Sequence, residues 1–128
     1  MTTKSNVEQI EIAVVATYME AQSEPERDHY VFAYTITISN HGAPPSRLMR
    51  RHWIITDASG EVEEVRGDGV VGEQPRLASG EKFEYTSGAI LKTPVGAMQG
   101  SYEFEDDDGN VFEVPIAPFS LSIPNLVH

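Results

Sequence analysis

Cysteine is absent from this chain of 128 residues. Thiolate nucleophiles, zinc-thiolate centres and a disulfide-stapled secreted scaffold are thereby excluded. No apolar run reaches transmembrane length, and the opening residues MTTKSNVEQIEIAVV place Glu8 and Glu11 where a signal peptide needs an unbroken apolar core. The expectation is a cytoplasmic protein without membrane insertion. Basic residues are few: nine Lys and Arg stand against twenty Asp and Glu, a net charge of -11. That balance repels phosphate backbones, so nucleic acid is not an expected partner. Helical periodicity, internal repeats and interdomain linkers are missing too, which leaves one expected domain, 1–128, with a core of about 7–126. At this length roughly two-thirds of the unfolded surface can be buried, enough for a core without metal or disulfide staples.

What the chain does have is short alternating strands. Residues 8–18 set Ile10, Ile12 and Val14 against Glu11 and Ala13, a period of two. Residues 20–28, EAQSEPERD, carry no periodicity and read as a solvated loop. From Tyr30 to Asn40 the residues Tyr30, Phe32, Tyr34, Ile36 and Ile38 share one face. NHGAPPS, from 40 to 46, must turn. Residues 48–57 are apolar on both faces, with Trp53 and Ile55 on one, so a central strand is predicted. Trp53 is the expected core anchor, with Tyr34, Phe104 and Phe112 as neighbours. EVEEVR, 61–66, suits an exposed edge. Residues 82–85 form a further strand and LKTPVG, 91–96, a turn. Tyr102 and Phe104 face inward, and DDDGN, 106–110, is a hairpin turn into a strand with Phe112, Val114 and Ile116 inside. The pattern restarts after Pro118. An all-β, fibronectin type III or immunoglobulin-like antiparallel β-sandwich is predicted, with a closed barrel as the alternative.

The residues suggest little chemistry. GDGVVG spells G-x-G-x-x-G through Gly67, Gly69 and Gly72, flanked by Arg66 and Arg76. The letters mean a pyrophosphate site only when a helix N-terminus comes next, and here Glu73, Gln74 and Pro75 come next instead. The bland alternative is that these glycines allow positive φ or a bulge. Asp106, Asp107 and Asp108 supply hard oxygen ligands without calcium-loop spacing, so they are expected to hold cations only weakly and superficially. His29, His41, His52 and His128 lack metal-ligand spacing and are expected to be structural or solvent-facing. With no G-x-S-x-G elbow and no cysteine, a non-enzyme without a cofactor is expected.

Six apolar residues, Val70, Val71, Ile90, Leu91, Val95 and Met98, fall in glycine-flanked stretches that look like loops. Displayed there, they are candidate protein-interface residues; tucked inward, they would instead cover the open ends of the core.

Taken together, HWIITD (52–57), VRGDGVVGEQPRL (65–77), FEYTSGAIL (83–91), TPVGAMQGSYEF (93–104) and FEVPIAPFSL (112–121) resemble the bacterial ApaG (CorD) family. The likeness runs from about Val7 to Leu126. One departure is Ala78-Ser79-Gly80, where the family commonly has proline and glycine. The resemblance implies a fibronectin type III-like sandwich without catalytic residues. It implies a protein-binding module with an unknown protein partner, associated with cobalt resistance and magnesium efflux, and expected as a monomer or weak homodimer. The alternative it implies is a nucleotide or pyrophosphate site on Gly67, Gly69 and Gly72, linked to diadenosine tetraphosphate metabolism.

Overall fold

The computed structural model describes residues 5–124; residues 125–126 of the expected core and His128 lie outside them. Eight strands run in order: β1 (Ile10–Tyr18), β2 (Tyr30–Asn40), β3 (Ser46–Asp57), β4 (Val62–Asp68), β5 (Arg76–Leu77), β6 (Lys82–Leu91), β7 (Val95–Asp106) and β8 (Val111–Ser122). A three-stranded antiparallel sheet, β1-β2-β6, packs on a second sheet, β4-β3-β7-β8, with β5 appended to β3. This is the predicted sandwich, not the barrel. Residues 20–28 are less plain than expected, since they contain 3-10 turns at Glu20–Gln22 and Pro25–Arg27. Among the described residues no helix is long and apolar enough to cross a membrane.

The strands form where alternation meets a core. Phe32, Tyr34, Ile36 and Ile38 of β2 are all buried, as their spacing predicts. β3 is central, pairing with β4 on one side and β7 on the other. Its inward parity changes midway: Leu48 and Trp53 are both buried although five positions separate them. A bulge between Leu48 and Arg50 absorbs the extra residue, Met49. β8 behaves alike. Rather than stopping at Pro118, it continues through a register shift that lets Val114 and Ile116 and then Leu121 all point inward. An edge strand tolerates Pro115 and Pro118 because only one of its sides must donate to a ladder. β6 is also longer than the sequence suggests: residues 86–91 stay paired with β2 in unbroken register.

Trp53 is 2% exposed and occupies the centre. Its ring meets Tyr34 at 5.5 Å, Tyr102 at 6.2 Å and Phe119 at 6.0 Å between centroids. Phe104 and Phe112 are not its aromatic neighbours. They stack on each other at 5.6 Å, because Phe104 pairs with Leu48 before the β3 bulge while Trp53 lies opposite Gly100. Phe119 reaches the indole only through the shift in β8.

Two polar groups lock this arrangement. Asn40 is buried at the end of β2, where its Oδ1 accepts the amides of Gly42 and Ala43 and its Nδ2 donates to the carbonyls of Ala43 and Leu77. All its hydrogen-bonding capacity is used, so the turn after β2 is tied to β5. The hydroxyls of Tyr85 on β6 and Tyr102 on β7 hydrogen-bond to each other across the sandwich. Burial pushes the Tyr85 phenol up to about 12 and raises Tyr102 further.

Trp53→Ala is expected to cost about 3 to 5 kcal/mol in urea unfolding, the range for emptying an aromatic site in a core; a loss under about 1 kcal/mol would place the indole outside the core's energetics. The tyrosine pair sets an alkaline limit. Both phenols are held neutral in the folded state, so their contribution is intact below the unfolded value of about 10. It is lost as pH rises through 10 toward about 12. Spectrophotometric titration should show two tyrosines ionising only as the fold is lost, and normal titration of all five would contradict the buried pair.

Candidate functional site

The glycine motif is built into β3 from the β4 side. Gly67 belongs to β4, not to a loop, and lies opposite Arg51. The Arg51 guanidinium lies so close over it that a Cβ at Gly67 would sit 2.7 Å from Nη1. Gly69 has φ of 60° and donates its amide to the carbonyl of Met49, the bulge residue of β3, at 2.8 Å. A side chain there would strike the Glu73 carbonyl at 2.2 Å. Val70 and Glu73 exchange both backbone hydrogen bonds, at 2.8 and 2.9 Å, around Val71 and Gly72 with φ of 43° and 81°. Two positive φ values in succession are the mark of a type I′ turn, which glycine suits at Gly72. The loop is then fastened by Gln74, whose Nε2 donates to Met49 O at 3.0 Å and whose own carbonyl accepts from Arg47 at 2.8 Å. Each glycine thus answers a steric demand of the chain itself. The amides of Gly69, Val70 and Glu73 are already bonded, and the motif leads into strand β5 rather than a helix.

The flanking arginines do not join the glycines. Arg66 lies in register with His52 and approaches Glu64 at 4.0 Å, whereas Arg76, opposite Arg47, is bound by both oxygens of Asp107. The acidic hairpin spends its carboxylates locally. Asp106 accepts the amides of Asn110 and Asp108 at 2.9 and 3.0 Å, and these bonds, that of Asn110 first, hold its pKa below the usual carboxylate range. Arg76 does the same for Asp107. Asp108 is exposed. Among the described residues no three His, Cys, Asp or Glu side chains converge as a metal would require. His41 meets Glu11 at 3.1 Å in the open, and His52 meets Glu64 at 2.9 Å on the outer face of the larger sheet.

A larger concavity lies elsewhere. β1 packs against β8 along one side of the sandwich. On the other side the edge strands β4 and β6 part around a groove of about 1000 Å³. Its walls include Trp53, Ile55, Val65, Ala89 and Met98, with Arg51 and Ser87 and, from the turn before β2, His29. A shallower recess continues it past Ile55 to Asp57 and Lys92. Exposed apolar side chains stand at its lips: Ile90 of β6 is 57% exposed and Val62 of β4 is 60%.

The six proposed interface residues therefore divide. Val70, Leu91 and Met98 are core, with Val70 fully buried beneath the glycine loop; for these the inward alternative is the correct one. Ile90 and Leu91 lie in β6, Val95 and Met98 in β7, so the expectation of loops is corrected for all four. Ser87 and Gly88 imitate a turn locally but sit in a paired strand. Ile90 and Val71 are exposed, and Val95 is half-buried. Arg51, which the sequence marks only as part of the basic cluster Arg47, Arg50 and Arg51, is a groove residue. Its parity with Trp53 and Ile55 is the signal that it points into the sandwich.

Comparison with known proteins gives a consistent picture. The ApaG domain family matches residues 20–106. The chain is 58% identical over 125 residues to Protein ApaG of Azoarcus sp. (strain BH72), covering 98% of each. It is 52% identical over 120 residues to Protein ApaG of Pseudomonas fluorescens (strain Pf0-1), covering 94% of this chain and 95% of that one. A crystal structure of a Bordetella pertussis protein described as ApaA superposes with a TM-score of 0.88 at 51% identity, covering 91% of this chain and 95% of the other.

Val71 is a β-branched residue held at positive φ with its side chain 54% exposed, so its strain has little packing to offset it. Val71→Asn should stabilise the protein by about 1 kcal/mol, seen as a raised urea midpoint at unchanged slope. An unchanged or lowered midpoint would show that the valine side chain contributes contacts that compensate its backbone.

Proposed function

Because the chain belongs to the ApaG family and shares its sandwich, we propose that it is a non-catalytic protein-binding domain that accepts an extended polypeptide segment along β6, over the groove beside Trp53. The observation that carries this reading is the contrast between the two strands that flank the groove. Among the described residues each pairs on one side only, leaving a row of backbone donors and acceptors open on the other. β4 is protected in the usual way, by Glu63, Glu64, Arg66 and Asp68. From Thr86 to Leu91, β6 has no charge, no proline and no bulge. An edge so unguarded beside an apolar groove suits strand addition, in which the ladder supplies affinity and alternate side chains enter the groove.

The occupant we favour is a different protein, since pairing two copies of a chain with charge -11 is opposed by their mutual repulsion. In this reading the domain works in the cytoplasm, and the cobalt resistance and magnesium efflux that go with the family act through the protein it holds. A nucleotide or pyrophosphate at the glycine motif has less support, given the bonded amides described above.

The test is to pan a display library of random peptides on the purified protein and map binders by amide hydrogen exchange. Enriched peptides should read as strands of alternating apolar residues, slow exchange in β6, and bind Ile90→Lys on the order of tenfold more weakly. Failure to enrich any peptide, or protection confined to residues away from β4 and β6, would overturn the proposal. Concentration-dependent self-association that protects β6 would put a second copy there instead.

A further inference from the structure

We propose that Arg51 is the specificity point of this groove and reads a carboxylate side chain, Asp or Glu, on the bound segment; the inference rests on the strand-addition reading above. Arg51 comes after the β3 bulge and therefore shares the inward face with Trp53 and Ile55. Its guanidinium is held in place by one nitrogen, Nη1, which donates to the carbonyls of Asp68 and Gly69, each at 3.0 Å. Gly67 lets it lie flat against β4, since any side chain at that position would displace it. Positioned this way, the guanidinium retains Nε and Nη2 donors beyond those two bonds.

Its charge is left uncompensated away from open solvent. Arg50 pairs with Glu103 and Asp68, Arg66 with Glu64, Arg76 with Asp107 and Lys92 with Glu61, whereas Arg27, Arg47 and Lys82, which also lack a described carboxylate within 4.0 Å, are exposed and Arg51 is half-buried. Among the described residues no carboxylate lies within 4.0 Å of Arg51, in a chain with more than twice as many acids as bases. The phenols that interact with it are Tyr102, its cross-strand partner on β7, and Tyr85 of the opposite sheet, and both stay neutral. The groove as a whole carries the cations Arg27, Arg51 and Lys92 against Asp28 and Glu63. A half-buried guanidinium without a counter-ion favours a charge-assisted, two-point contact with a carboxylate.

Geometry fixes the rest of the segment. On an extended chain, side chains i, i+2 and i+4 share a face at about 6.6 Å intervals, the same spacing that separates Arg51, Trp53 and Ile55 on β3. A segment with an acid at i would place apolar residues at i+2 and i+4 over Trp53 with Val65 and over Ile55 with Ile90. A segment carrying one acid meets far less repulsion than a second copy of charge -11 would, and beyond about 8 Å what remains is screened at physiological ionic strength.

The experiment uses the full chain and capped peptides of the form Glu-Thr-Val-Thr-Ile, together with their Gln and Leu counterparts at the first position, measured by calorimetry. The Glu peptide should bind about 10- to 100-fold more tightly than either counterpart, and Arg51→Met should erase the difference. Since Arg51→Met also removes the bonds to Asp68 and Gly69, the comparison on the unaltered protein decides by itself. Equal binding of all three peptides would overturn the role of Arg51 while leaving the strand-addition reading intact. No binding by any of them would overturn both, and saturable binding of inorganic pyrophosphate at Arg51 without peptide binding would assign the cation to a small anion instead.

Discussion

A single inserted residue in β3 governs how one half of the sandwich is oriented. Without the bulge at Met49, the alternation that buries Leu48 would carry Arg50 inward and turn Trp53 toward solvent. With it, Arg50 joins the outer ion pairs while Arg51 and Trp53 enter the sandwich. The carbonyl of Met49, the residue at the bulge, is engaged on the β4 side by the Gly69 amide and by Gln74. The glycine loop is therefore docked to the same irregularity that orients the groove.

This changes what the glycine motif stands for. In a dinucleotide fold, small residues clear space for phosphate oxygens. Here they clear space for parts of the same chain: a guanidinium at Gly67, a carbonyl at Gly69 and a reversed turn at Gly72. The letters coincide because close approach of a backbone to any neighbour requires the absence of a Cβ. Whether the chain continues from the motif as a strand or as a helix determines which neighbour the glycines serve.

The parts of the fold that depend on local pattern are legible in the sequence. The alternation of β2, the two apolar faces of β3, the charged edge of β4 and the DDDGN hairpin all appear in the structure at their expected places. Features set by pairing between distant segments are not legible in this way. The stretch from Ser87 reads as a loop because nothing local shows that β2 holds it in register. Simple alternation places Trp53 beside Phe104 and Phe112, since it ignores the bulges that bring Phe119 to the indole. The groove arises between β4 and β6, which never pair, so no window of sequence contains it. Extending the Trp53 parity two residues back does find Arg51, but its lack of a carboxylate partner is a property of the whole assembled surface.

The unguarded edge of β6 also bears on how the protein survives when its groove is empty. An uncharged stretch of strand open on one side is a template for aggregation. Lys82 and Glu84 guard only the start of β6, and from Thr86 to Leu91 the protection comes from the charge of the whole chain. Its twenty acids keep neighbouring copies apart at neutral pH, and that protection fades as the solution nears the isoelectric point of about 4.6. The acidic composition is thus colloidal insurance for a sticky edge, discouraging β6 from accepting a strand of its own kind.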